Sequence, residues 1–422
     1  MPEAFLHHLW KFRLFDEKEL VTEDGESIKS IKTGVHNRDA GPDFFNARIE
    51  INNTNWAGNV EIHWNSSDWN KHNHSSDPAY ENVILHVVYE NTGEVKRKAG
   101  SKIPLLVLKN RINPELLSKY HDLQTNEQWI PCEKHIENVD DFLINSWTER
   151  LVVERLELKS LAIEETLKNN NNNWEETFYQ HLARNFGFKV NALPFEMLAR
   201  SLPNNLLAKH KNEPKQIESL IFGQAGLLED SFTEEYPKSL KKEYEFLQKK
   251  YNLKPLDKSL WKFLRLRPVN FPSIRLAQFA TLICSSSNLF SKVLETKNKL
   301  KFESLFSIQP NSYWETHFMF EKETKEISKS LGNSSIENII INTIAPFFFV
   351  YGKHKNQQKY IDQAIELLDN TQSENNSIIK NWNRLGIRST SAIHSQGLIQ
   401  LKNNYCASRK CIDCHIGNKI IR

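Results

Sequence analysis

Between Gly34 and His86 the chain gathers Asp43, Glu61, His63, Asp68, His72, His74, Asp77 and His86, a dense run of residue types that ligate metals. Asp43 follows Pro42 at the mouth of the alternating segment Phe45-Asn-Ala-Arg-Ile-Glu-Ile51. Glu61 and His63 stand two apart in Val60-Glu-Ile-His-Trp64. Side chains alternate between the faces of a strand, so this pair projects from one face. If the two strands are neighbours, Asp43, Glu61 and His63 converge. Two carboxylates at one point are costly unless a cation neutralises them, and hard oxygen donors suit Mg²⁺ or Mn²⁺. Such an ion can lower the pKa of water and stabilise the charge developing on a phosphoryl oxygen.

The other histidines rank second. His72-Asn-His74, read as a strand, suits zinc with a flanking Asp68 or Asp77; the same residues also read as a polar loop with a turn at Pro78. His86 lies inside the apolar run Val83–Tyr89, where a histidine serves equally as a satisfied core residue.

Pro42-Asp43, followed eighteen residues after the acid by Glu61-Ile62-His63, resembles the PD-(D/E)XK nuclease superfamily. The resemblance implies that the Asp and Glu bind metal and that the residue two beyond the Glu assists the attacking water. It also implies a helix–strand–strand–helix–strand order over residues 1–90, with Glu3 or Glu19 as an extra acid on the first helix. The family has Lys where this chain has His63; a mostly neutral imidazole binds metal or takes a proton but is no permanent cation. Across its length the chain also resembles an uncharacterised bacterial family of unknown function. The phrases that carry this are Gly41-Pro-Asp-Phe-Phe, Gly58-Asn-Val-Glu-Ile-His, Ser67-Asp-Trp, Phe222-Gly-Gln-Ala-Gly and the Cys-rich end. That likeness implies no activity.

The elements that must position these residues follow from periodicity. Alternation predicts strands at Phe45–Ile51 and Val60–Asn65, and apolar runs predict buried strands at Val83–Tyr89 and Ile103–Leu108. A helix is expected over Phe5–Phe15 and a hairpin turn at Asp24-Gly25. Beyond Asp140 the spacing turns helical: Phe142–Lys168, Trp174–Phe186, Ile217–Leu228, Ser239–Lys250, Ser273–Ser285, Ile336–Ala345, Lys359–Leu368 and Ser391–Tyr405, the last capped from Ser389 or Thr390. At 422 residues the chain exceeds one ordinary core. The expected architecture is α+β: a small mixed-sheet domain over 1–135, restriction-endonuclease-like by the resemblance, then an all-α domain over 136–405. A Cys-rich segment, 406–422, is expected to pack back on the junction.

The N-terminus is too polar for a signal peptide. The most apolar stretch, Ile339–Val350, is interrupted by Asn342, Thr343 and Pro346 and reads as a buried helix ending near Pro346 rather than a membrane span. A cytoplasmic protein is expected. Five cysteines without secretory context favour metal ligands or free thiols over disulfides. Cys406, Cys411 and Cys414 have ligand spacing, and Cys132 is the distant fourth, with His415 and His135 as alternatives. An upstream Cys joined to three downstream resembles iron–sulfur nucleases of the same superfamily; zinc suits the same thiolates.

A net charge of +3 from 55 basic and 52 acidic residues neither demands nor excludes nucleic acid, so only a local patch counts. Arg265, Arg267 and Arg275, interleaved with aromatics, are the candidates for gripping phosphate, against internal pairing at a helix junction. The reading expected from all this is a metal-dependent nuclease or phosphodiesterase acting on DNA or RNA. The alternatives are an inactive nuclease-like module that binds nucleic acid or protein, and a zinc hydrolase using His63, His72 and His74.

Overall fold

A computed structural model describes residues 3–422 apart from 99, 287 and 297. The chain divides into two units, Met1–Ile144 with Lys402–Arg422, and Asn145–Leu401.

The first unit opens with α1 (Glu3–Phe12), whose Phe5, Leu6, Leu9 and Trp10 form a fully buried stripe and whose acidic Glu3 complements the helix dipole. The sheet contains β1 (Ile28–Lys32), β2 (Val35–His36), β3 (Phe44–Ile51), β4 (Thr54–Asn65), β5 (Val83–Glu90) and β6 (Leu105–Val107). Its order is β1-β3-β4-β5-β6, with β2 also paired to β3. Strands β1, β2 and β4 run antiparallel to β3, whereas β4, β5 and β6 run parallel. The sheet is therefore mixed, as the strand pattern predicts. The β3–β4 hairpin closes on Asn52 and Asn53, both left-handed at φ 47° and 61°. Two such residues make the turn whose twist matches the strands. Register then slips at a bulge around the left-handed Asn46, near the N-terminal end of β3.

A parallel neighbour cannot be reached by a tight turn, so β4 and β5 are joined by a crossover. It holds α2 (Asp68–Lys71) and two short 3₁₀ turns, packed through Trp69 and Tyr80 onto Val83, Val95 and Ile103. Thus His72 and His74 do not sit on a strand. Asn73 between them is left-handed (φ 61°), because a strand there would leave the crossover no way to turn back. Further on comes α3 (Pro114–Thr125), capped by Asn113. The C-terminal segment is tied to this unit: Gln124 donates to the Arg409 carbonyl (3.1 Å), Arg409 to the Leu123 carbonyl (3.3 Å) and Lys402 to the Trp129 carbonyl (2.6 Å). Gly417 lies within the terminal helix His415–Ile421, where a Cβ would stand 2.2 Å from the Cys411 carbonyl oxygen.

The second unit is largely helical, around a core that includes Phe178, Phe222, Phe279, Trp314 and Phe347. Helices occupy Trp174–Phe186, Pro214–Gln224, Glu235–Tyr251, Pro272–Ser285 and Gln358–Asp369, close to the periodicity. It is not wholly helical: His317–Met319 and Lys322–Glu323 pair as a small ribbon. Neither Ser389 nor Thr390 caps the helix Ala392–Gln400; Ser391 holds that position without a side-chain bond. The helix expected to stop near Pro346 runs on to Lys355. Pro346 has no N–H to give, and the chain meets this with a π turn, Ile340–Ile344, just upstream. Asn333–Lys355 as a whole is long and apolar enough to cross a membrane, but 78% of its most apolar window is buried inside the protein, as in a core helix.

Lys159 services that π turn, donating to Asn342 Oδ1 (2.9 Å), the Ile341 carbonyl (3.4 Å) and Gln396 Oε1 (2.8 Å). Burial, with Arg155 nearby, pulls the ammonium of this partly buried residue down to about 7. Below pH 7 both folded and unfolded chains hold the proton and the cost of burying the charge is fully present. Between pH 7 and the unfolded value near 10.5 the unfolded chain holds the extra proton, so stability rises with pH. Lys159→Met should flatten that rise, on the order of 1–3 kcal/mol across the window. Urea titrations at pH 7 and pH 9.5 measure it; parallel slopes for both proteins would refute the assignment.

Candidate functional site

Where β3 begins beside the middle of β4, Asp43 and Glu61 are cross-bonded. The Asp43 backbone N–H donates to Glu61 Oε2 (3.1 Å), and the Ile62 N–H donates to Asp43 Oδ2 (2.9 Å). The Glu61 carboxylate thus accepts from Asp43's own N–H, and the Asp43 carboxylate from the residue after Glu61, so backbone groups of the paired strand region hold both side chains. His63 Nε2 stands 3.5 Å from Glu61 Oε1, as expected of neighbours on one strand face. All three residues singled out by spacing therefore meet at one place, with Glu61 and His63 buried.

The crossover closes over them. His72 Nδ1 lies 3.1 Å from His63 Nε2, and His74 Nε2 lies 3.3 Å from Glu61 Oε1. His74 stacks on Tyr80 at 3.8 Å between centroids, so its ring is held in place. From the strand beside β4, His86 is fully buried, and its Nε2 sits 2.8 Å from His63 Nδ1. The parallel register pairs His86 with Glu61, so it stands beside Glu61 on the next strand and meets the site through His63. Asp68 and Asp77 serve local structure instead: Asp68 accepts from the Asn65 N–H (3.0 Å) and Asp77 from the Ala79 N–H (2.9 Å).

Two participants escape sequence reasoning in part. His7 Nε2 approaches Asp43 Oδ2 to 3.2 Å, off the line of a hydrogen bond. Glu3, one turn earlier on α1, is within electrostatic reach of Asp43, His7 and His72. The signal is present in the spacing of Glu3 and His7, four apart on one helix face. Glu19 is not on that helix; it lies in the following loop with a left-handed backbone.

The electrostatics describe a carboxylate pair short of positive charge. Burial and then Asp43 raise the Glu61 carboxyl well above the usual range. Burial pulls His7 down, but the Asp43 carboxylate more than offsets this and leaves it raised. Burial, followed by the neighbouring His86, His74 and His72, depresses His63 to about 2. His86 falls to about 3 for the same first reason. Among the described residues, no Lys or Arg ion-pairs with Asp43 or Glu61. Paired acids without a fixed cation, beside neutral imidazoles, are a donor set that a divalent metal fits.

Cys132, Cys406, Cys411 and Cys414 all belong to the first unit, and among the described residues no disulfide joins any of the cysteines. Burial raises the Cys132 thiol, as do Cys414 and Cys411 close by. Cys406 is raised by burial and then by Cys132, Cys414 and Cys411. Residues roughly 270 positions apart thus lie within electrostatic reach of one another, and four thiols gathered in one unit are a donor set that zinc or an iron–sulfur cluster takes. The arginine group does not stay together. Arg265 and Arg267 are exposed, but Arg275 is buried and bonded to Gln278 (2.9 Å), Ser335 (3.1 Å) and Asn270 (2.5 Å), with Phe188 stacked 4.4 Å away. Internal pairing at the helix junction is what Arg275 does.

A mixed-sheet α/β unit with a carboxylate–imidazole centre, in one chain with a larger helical unit, is the class that fold and site define. The chain belongs to the family described as "Protein of unknown function (DUF2851)", whose model matches residues 3–377. That stretch contains the whole carboxylate–imidazole centre and Cys132, and it ends before Cys406. No curated protein and no solved structure matches the chain.

Proposed function

We propose that this protein is a divalent-metal-dependent phosphodiesterase of the nuclease type. The observation that carries the reading is the meeting of the Asp43 and Glu61 carboxylates at the start of β3 and the middle of β4, held by the Asp43 and Ile62 N–H groups. Three antiparallel strands followed by a crossover to a parallel one, with an acid on the opening helix, support a restriction-endonuclease-like core. Asp43 and Glu61 hold Mg²⁺ or Mn²⁺, with Glu3 as a further acid close by. The ion supplies charge against the phosphoryl oxygens and makes water a better nucleophile. His63, neutral and bonded through Nδ1 to His86, would orient or deprotonate the attacking water. The substrate is DNA or RNA, and exposed Arg265 and Arg267 are candidates for its backbone.

The test is cleavage of end-labelled single- and double-stranded DNA and RNA with Mg²⁺ or Mn²⁺, by wild type and by Asp43→Asn. Turnover that survives Asp43→Asn overturns the assignment. Salt-sensitive binding with no turnover under any ion favours the second reading, a nuclease-like module that binds without cutting, for which the missing Lys is the motive.

The four grouped cysteines support a structural zinc or iron–sulfur site that fastens residues 402–422 to the rest of their unit. Cys132→Ser should lose that metal and lower Tm by several degrees, because the backbone bonds of Lys402, Gln124 and Arg409 alone then hold the segment. Metal analysis with a visible spectrum decides it: brown absorbance marks iron–sulfur, and metal content unchanged by the substitution refutes the site.

A further inference from the structure

The residue that departs from the nuclease pattern, His63, faces a second set of donors that the hard-cation site does not use. Glu61 looks two ways: Oε2 is turned to the Asp43 backbone, while Oε1 is turned to His63 and His74. Around Oε1 the spacings are 3.5 Å to His63 Nε2 and 3.3 Å to His74 Nε2, with His63 Nε2 3.1 Å from His72 Nδ1. The ligating nitrogens of His63, His72 and His74 all lie within 4.8 Å of one another. Ligands about 2.0–2.1 Å from a tetrahedral ion stand roughly 3.3–3.4 Å apart along each edge, so these are ligand separations.

Hydrogen bonding points the same way. His74 Nε2 is buried and has no hydrogen-bond partner, which is costly for an imidazole unless something accepts its lone pair. If His63 Nδ1 donates to His86 Nε2, the tautomer leaves the His63 Nε2 lone pair aimed at the cluster. A ligating histidine whose other nitrogen donates to a buried partner is the usual outer arrangement of a transition-metal site. The crossover geometry makes the set: left-handed Asn73 turns His72 and His74 toward one point, and Tyr80 stacks on His74 to hold it.

We propose that Glu61, His63, His72 and His74 bind one borderline transition-metal ion, zinc foremost, next to the hard-cation site and sharing Glu61 with it. Three imidazole nitrogens with one carboxylate oxygen favour zinc over magnesium or calcium. The inference deepens the proposed function and changes one role in it: with this ion bound, His63 would serve as its ligand, and the ion rather than the imidazole would act beside the water, in place of the positive charge that the family's Lys supplies. It stands on its own geometry, however, and does not need the protein to cut nucleic acid.

The probe is cobalt(II) added to chelator-treated full-length protein, followed by visible absorbance and then competition with zinc. Expected is one equivalent giving four-coordinate d–d bands without thiolate-to-cobalt charge transfer, which separates it from any ion at the cysteines. His72 is exposed, so His72→Ala should leave the fold intact, and it should weaken this equivalent on the order of 100-fold or more. His74→Ala should do the same, while Cys132→Ser should leave it untouched. Cobalt bound only with thiolate bands, or bound equally well by His72→Ala and His74→Ala, overturns the site. Cleavage by wild type with Mg²⁺ in that event would leave the proposed function standing, and loss of cleavage with intact cobalt binding would do the reverse.

Discussion

Glu61→Gln is expected to reduce Mg²⁺- or Mn²⁺-dependent cleavage by at least ~10³-fold, about 4 kcal/mol of lost transition-state stabilisation. The substitution keeps the shape, and the new amide oxygen can still accept the Asp43 N–H. What it removes is the charge, and with it the reason two acids are buried together. Neutral glutamine removes the cost of burying a charge and the repulsion from Asp43 that together raise Glu61, so the folded state should be no less stable than wild type. That combination distinguishes a site from a structural pair. An activity loss accompanied by an unfolding midpoint at or above wild type supports the ligand role. Full activity in Glu61→Gln rules it out. Asp43→Asn should behave alike, and His63→Gln should cost less, since it removes a neutral imidazole rather than a carboxylate charge.

The second large effect is on stability. Gly226→Ala should cost roughly 2–5 kcal/mol, combining left-handed strain of about 1–2 kcal/mol with overpacking of about 1–3 kcal/mol. Gly226 has φ +75°, and a Cβ there would lie 2.1 Å from the Leu256 carbonyl oxygen. The neighbouring chain has no slack to give. Leu256 N–H donates to the Gln224 carbonyl (2.8 Å), Gln224 Nε2 donates to the Lys254 carbonyl (2.7 Å), and Trp261 Nε1 donates to the Ala225 carbonyl (2.8 Å). Gly25 offers the control, because it also has positive φ (+82°) but nothing within 4 Å of where a Cβ would stand. Chemical denaturation of both full-length variants measures the difference. Equal losses would mean that close packing at Phe222-Gly-Gln-Ala-Gly226 contributes nothing beyond backbone strain.

The same contacts make that phrase a packing element rather than a phosphate loop. Gly223, in the same run, admits the ring of Tyr244, whose nearest atom would be 2.0 Å from a Cβ. Both glycines bring neighbouring chain close to their own backbone, and neither presents its N–H groups to a ligand.

Much of the architecture is legible because local rules decide it. Alternation marks β3 and β4, the Asp43 and Glu61-x-His63 spacing follows from the period of a strand, and Trp174–Phe186 can be read to the residue because Asn173 caps it. The left-handed Asn52-Asn53 pair is equally local, and reading it as a two-residue turn supplies the β3–β4 pairing directly. Other features cannot be read this way. Whether His86 is core or site depends on the parallel register that sets it beside Glu61, and register across a crossover is a nonlocal property. His72 and His74 read equally as strand or as polar loop, and the loop is what forms, because their types say nothing about the left-handed Asn73 between them.

What the sequence determined by itself is the inventory and the strand faces: an acid at the mouth of one strand, an acid and a histidine sharing a face of another, and four cysteines with ligand chemistry. Only the tertiary structure decided which of the remaining residues join them. It brought in His7 and Glu3 from α1 and folded His72 and His74 over Glu61. It left Asp68 and Asp77 as local caps, turned Arg275 inward, and joined residues 402–422 to the unit of Cys132. The physical reason is range. Side-chain alternation and capping act over a few residues, whereas a metal-type centre is assembled by register, crossover and helix packing, whose energies belong to contacts between distant parts of the chain.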